Sequence, residues 1–137
     1  MIPPHLALTE LRLAQGRAAE AREEARRAED AAGGYLAWKL LARGRHAEAL
    51  HALGASAEAD ALLREVQATA ERATIAPAVW LCALARADIL TAQGRADEAT
   101  ALRAEVRADL ARVAADLPEE LRASAATVSL VRRAGGI

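Results

Sequence analysis

The sequence predicts an all-α fold, an α-α superhelix of three helical hairpins closed by a C-terminal capping helix. Ala makes up 39 of the 137 residues while Phe is absent and aromatic residues total 2%. Ala forms helix readily but removes little apolar area from water, so such a chain favours close approach of small helix faces over one thick core. A Gly-led phrase recurs along the chain, and apolar residues after it fall three and four apart, as on one side of a helix.

The phrase occurs four times: Gly16-Arg-Ala-Ala-Glu20-Ala21, Gly44-Arg-His-Ala-Glu48-Ala49, Gly54-Ala-Ser-Ala-Glu58-Ala59 and Gly94-Arg-Ala-Asp-Glu98-Ala99. Gly44 and Gly54 are ten residues apart, too close for two helices between two turns, so Gly44 is assigned to a helix interior. Gly16, Gly54 and Gly94 remain, 38 and 40 residues apart, the length of a helix-turn-helix unit with its connector.

Pro3 and Pro4 suit a first helical turn and open a helix over Pro4 to Gln15. After Gly16 a helix over Arg17 to Ala31 presents only Ala21, Ala25 and Ala28, and is expected to pack closely but weakly at the more mobile end of the stack. Gly33-Gly34 break the chain before a long helix over Tyr35 to Leu53. Beyond Gly54, Ala59, Leu62, Leu63, Val66, Ala70 and Ala73 mark a helix over Ser56 to Ala73. Pro77 introduces Ala78 to Gln93, and the stripe Ala99, Leu102, Val106, Leu110, Val113, Leu117 defines Ala96 to Asp116. Asp116-Leu-Pro118-Glu119 has the form of an N-cap with a capping box. It leads into a closing helix over Glu119 to Arg133 with Leu121, Ala125 and Val128 on one side. The whole reads as a single domain, 1–133, with units 3–33, 35–74 and 77–117, the cap 119–133 and a frayed tail 134–137.

A helix, a Gly turn and a second helix opening on Glu-Ala resembles the tetratricopeptide repeat (TPR), over about residues 3–117. Thr9, Ala47 and Ala87 supply the small residue seven before the Gly, and Ala21, Ala59 and Ala99 the Ala five after it. Leu8, His46 and Arg86 at the usually apolar position eight before the Gly, and Arg12 four before it, depart from the pattern. The units also exceed the family's length of about 34 residues. The Trp38-to-Gly54 segment and the close Leu117-Pro-Glu-Glu-Leu-Arg122 are in addition similar to helical-repeat tails of large bacterial signalling regulators that carry ATPase, kinase or cyclase domains. The resemblance implies a divergent TPR-like member whose first helices line a concave groove.

In that layout the residue six before each Gly faces the groove, which places Glu10, Glu48 and Asp88 in register. They are candidates to receive Arg or Lys of a basic protein or peptide partner, with Leu6, Leu13, Leu41, Leu81 and Leu84 as apolar contacts. The competing reading pairs each acid with a nearby Arg such as Arg12, Arg45 or Arg86. The acidic-tail clamp known for this family needs Lys and Asn donors, and a chain with Lys39 as its one Lys and no Asn is not expected to bind such tails.

Enzyme function is not expected. His46-Ala-Glu48 matches the short His-x-Glu of zinc deaminases, but Cys82 is the lone cysteine and the required pair is missing. His46 and His51 are five apart, on different helix faces, so no metal is expected, and no phosphate loop or Gly-x-Ser-x-Gly elbow suggests a cofactor or nucleophile. Cys82 reads as a small core residue, and Trp38 and Trp80 as packing between neighbouring hairpins.

Lys plus Arg total 18 against 19 Asp plus Glu, so no overall field draws in nucleic acid or an anionic membrane. The longest charge-free run, Ala73 to Ala85, contains Pro77 and is shorter than the roughly 20 residues that span a bilayer. With no signal-like start and one cysteine, the expected location is cytoplasmic. The leading function is a protein-interaction or scaffold module. The alternatives are a self-association module that sets a homo-oligomer and a small-molecule-sensing regulatory domain.

Overall fold

The computed structural model describes residues 4–116; the capping helix expected at 119–133 and the tail 134–137 lie outside them. Six helices follow in order: α1 Pro4–Ala14, α2 Ala18–Ala32, α3 Leu36–Ala52, α4 Ser56–Arg72, α5 Ala76–Ala92 and α6 Ala96–Asp116. No strand occurs among the described residues.

The five connectors are all of one length, three residues, too short for anything but antiparallel neighbours. Four close in the same way. At the first, Arg17 N–H donates to the Arg12 carbonyl at 2.8 Å and Gly16 N–H to that of Leu13 at 3.1 Å, and equivalent pairs recur around Gly54, Thr74 and Gly94. This double closure satisfies the last helical carbonyls and requires a left-handed residue at its centre. Gly16, Gly54 and Gly94 adopt it with φ of 72°, 91° and 78°, and Thr74 with φ of 55°. The repeating Gly phrase therefore marks the turns within hairpins, while the turn from α4 to α5 uses the same geometry without the glycine.

Gly44 lies inside α3, as its spacing predicts. A Cβ built on it would stand 3.0 Å from Leu81 Cδ2 and 3.9 Å from Cys82 Sγ, so the absent side chain lets α3 and α5 come close. Helix ends differ from expectation by a residue at most, except that α5 begins at Ala76, two residues early. Pro77 sits in its first turn, where a missing N–H costs nothing.

Each helix packs on the next, and α3 also packs on α1 and α5. Helices α1, α3 and α5 thus form a contiguous row, with α2 against α1 and α3, α4 against α3 and α5, and α6 against α5. The largest buried cluster joins α3, α4 and α5 through Leu40, Leu50, Leu63, Val66, Cys82 and Ile89. A second joins Leu6, Ala28 and Ala42, with Trp38 packed on it, so Trp38 does bridge the first hairpin to α3. Trp80 does not bridge hairpins in this way. It packs with Ala83, Leu84, Val106 and Leu110 of α5 and α6, inside the third hairpin, because the α6 stripe faces it. Helix α2 buries Ala21, Ala25, Ala28 and Ala32 alone.

Candidate partner-binding surface

Glu10, Glu48 and Asp88 stand on α1, α3 and α5, the three helices of the contiguous row, but they do not form a column of bare carboxylates. Arg45 of α3 donates from Nη2 to Glu10 Oε1 at 2.7 Å and from Nη1 to Glu48 Oε2 at 3.1 Å. One guanidinium therefore joins α1 to α3 and holds both acids. Burial works against its charge, yet Glu48 and Glu10 together outweigh that and raise its pKa above the ordinary arginine value. Asp88 accepts from Arg103 of α6 at 3.1 Å. Of the nearby arginines named from sequence, Arg45 is a partner of Glu10 and Glu48, Arg12 reaches Glu20, and Arg86 reaches Asp60 and Gln67.

The apolar candidates divide. Leu13 and Leu41 are half-buried and contribute to the surface. Leu6 and Leu81, each 4% exposed, and Leu84, 1% exposed, are withdrawn from it. Leu6 fills the junction of α1, α2 and α3, Leu81 rests on Gly44, and Leu84 sits under Val106 and Leu110. The small residues of the neighbouring helices allow an approach close enough to submerge these leucines, which makes them packing residues rather than contacts for a partner.

Arginine–carboxylate pairs recur at the seams between helices. Arg12–Glu20 joins α1 to α2 at 3.4 Å, Arg43–Glu29 joins α3 to α2 at 3.7 Å, and Arg43–Glu65 joins α3 to α4 at 2.9 Å. Arg86–Asp60 links α5 to α4 at 3.4 Å. His5 and Glu24 add a contact of 2.9 Å between α1 and α2. That hydrogen bond, assisted by Arg27, holds the Glu24 carboxyl below the usual range against the effect of burial. The i,i+3 spacing of Arg45 and Glu48 is visible in the sequence, but the reach of Arg45 to Glu10 and of Arg103 to Asp88 depends on tertiary placement. Sequence reasoning could not find either.

No protein-family model matches the chain, and no curated protein or solved structure matches it. The surface is thus read on its own chemistry. Among the described residues no three His, Cys, Asp or Glu side chains group as metal ligands, and no helix is long and apolar enough to cross a membrane. Cys82 is fully buried, and burial pushes its thiol up to about 12, so it remains a protonated core side chain at neutral pH. His46 and His51 point apart: His51 Nδ1 meets Ser56 Oγ at 2.8 Å, at the start of α4.

Proposed function

We propose that the chain is a protein-interaction or scaffold module, a divergent TPR-like stack that receives a basic peptide or partner segment on the α1–α3–α5 row. The observation that carries this reading is the Glu10–Arg45–Glu48 cluster astride α1 and α3. Arg45 holds both carboxylates in place before a partner arrives and leaves Glu10 as the outer arm of the cluster. Glu10 is the more accessible of the two, with its side chain 44% exposed against 16% for Glu48. An incoming Arg or Lys would share Glu10 while Glu48 keeps Arg45 satisfied. Asp88, 56% exposed beside Arg103, offers a second, weaker position further along the row. Such charges set orientation and association rate more than affinity, and Leu13 and Leu41 supply limited apolar contact.

Crosslinking capture from the native cell, with the wild-type chain and an E10Q/D88N variant, tests this. A protein captured by the wild type and confirmed as a direct binder with purified components should bind the variant about tenfold more weakly, a difference of about 1.4 kcal/mol. Equal affinity would rule out this surface. Self-association is the second reading, favoured by the exposure of Tyr35, Leu36 and Val113. Sedimentation equilibrium separates the two, because a dimer that Y35S/L36S dissolves would place the interface at the start of α3 instead.

A further inference from the structure

Arg22 and Arg26 of α2, like Arg72 of α4 and Arg107 of α6, are tied to no carboxylate among the described residues. Both are exposed, and among the described residues neither guanidinium has an ion-pair or hydrogen-bond partner, whereas Arg17 and Arg27 on either side do. Their position follows from Arg43. That side chain reaches Glu29 of α2 and Glu65 of α4, so this side of α3 lies between α2 and α4, which barely touch each other. His46 comes one turn after Arg43 on α3. Because α2 runs antiparallel to α3, Arg26 and Arg22 come one and two turns before Glu29, alongside His46.

That register outlines a furrow over α3 between α2 and α4, with His46 towards its floor, Arg22 and Arg26 along α2, and Arg43 with its two carboxylates towards one end. On the α4 wall the same register brings Leu62 opposite His46 and Glu58 a turn beyond. The imidazole is half-buried and has no hydrogen-bond partner among the described residues. Burial, then Arg22, Arg26 and Arg43, lower its pKa, with Glu29 opposing them. This furrow is distinct from the Arg45 cluster, since Arg45 and Glu48 project from the other side of α3.

We propose that the furrow is an anion site for a phosphoryl dianion, with Arg22 and Arg26 donating to its oxygens and His46 donating from one ring nitrogen. Two guanidiniums without counter-charges match a doubly charged phosphoryl group better than a single carboxylate, and their planar forks suit its oxygens. A neutral imidazole still carries one N–H. Arg43 stays with Glu29 and Glu65 and shapes the end of the site without donating to the ligand.

Proton NMR of the His46 ring in phosphate-free buffer provides the test, with His5 and His51 as internal references. Titration with inorganic phosphate or a phosphoserine peptide should shift the His46 resonance saturably, with a Kd on the order of 1 mM or tighter, and raise its pKa. Acetate should not saturate in that range. An R22Q/R26Q variant should lose the response while keeping the wild-type melting curve, since neither side chain makes a polar contact among the described residues. A peptide that binds at least about tenfold tighter than inorganic phosphate identifies a phosphorylated partner as the source of the group, and equal binding identifies free phosphate. No saturation, an equal response to acetate, or a response surviving in R22Q/R26Q would overturn the proposal.

Discussion

Thr74 occupies the left-handed turn position that Gly16, Gly54 and Gly94 fill elsewhere. A β-branched residue there carries strain of about 1–3 kcal/mol, partly offset by its hydroxyl, which donates to the Ala73 carbonyl at 2.7 Å. T74G relieves the strain but enlarges the unfolded ensemble, so a net gain of about 1 kcal/mol is expected, read as a higher denaturant midpoint at unchanged m. A lower midpoint would show that the hydroxyl contact outweighs the backbone strain. His46 leads to a pH effect of definite sign. Its folded pKa lies below 6.5 because of burial and Arg22, Arg26 and Arg43, with Glu29 opposing. The unfolded chain therefore takes up the proton first. The stability it contributes is complete above pH 6.5 and is lost as pH falls below 6.5 towards the folded value. Denaturation series in phosphate-free buffer should show this slope in the wild type and a flatter one in H46Q.

At the scale of the helix, Arg45 ties α3 to α1 through Glu10 while also holding Glu48 of its own helix. Its removal in R45A deletes charge-assisted hydrogen bonds to both Glu10 and the mostly buried Glu48, and a loss of about 2 kcal/mol is expected. E10Q touches only the more exposed arm and should cost less than about 1 kcal/mol. Similar losses in both variants would mean that Glu10 rather than Glu48 carries the interaction. The limits of legibility show at this same scale. The placement of Gly44 within α3 followed from spacing alone, and so did the turns at Gly16, Gly54 and Gly94, because chain connectivity leaves few ways to fit helices between them. Local pattern also located α6, since its stripe is long and regular. It could not distinguish a leucine facing a groove from one facing a neighbouring helix. Leu6, Leu81 and Leu84 occupy positions that the repeat layout assigns to a groove, but small residues such as Ala42 and Gly44 draw the helices together over them. Thr74 escaped notice for the opposite reason: its turn geometry is set by the flanking helices, and its residue type argues against it.

For the whole molecule, the unequal clusters imply unequal local stability. The α3–α4–α5 cluster contains Leu40, Leu63 and Val66, each 1% exposed or less, whereas α2 meets its neighbours through four buried alanines. Burial of a leucine contributes about 1.5–3 kcal/mol, far more than an alanine can. In a stack where units touch only their neighbours, stability is roughly a sum of unit and interface contributions, so opening should begin with the first hairpin. Native-state hydrogen exchange should accordingly show backbone amides in α1 and α2 opening at a free energy lower by about 1–3 kcal/mol than those in α4 and α5. L63A tests the coupling behind this. Truncating that fully buried side chain should cost about 2–4 kcal/mol and lower protection across α3, α4 and α5 together, because all three contribute to its cluster. Protection in α1 and α2, already set by local opening, should change little. If L63A instead lowers protection equally in every helix, the chain opens as one cooperative unit, and the seams at Arg12, Arg43 and Arg45 transmit stability along its whole length.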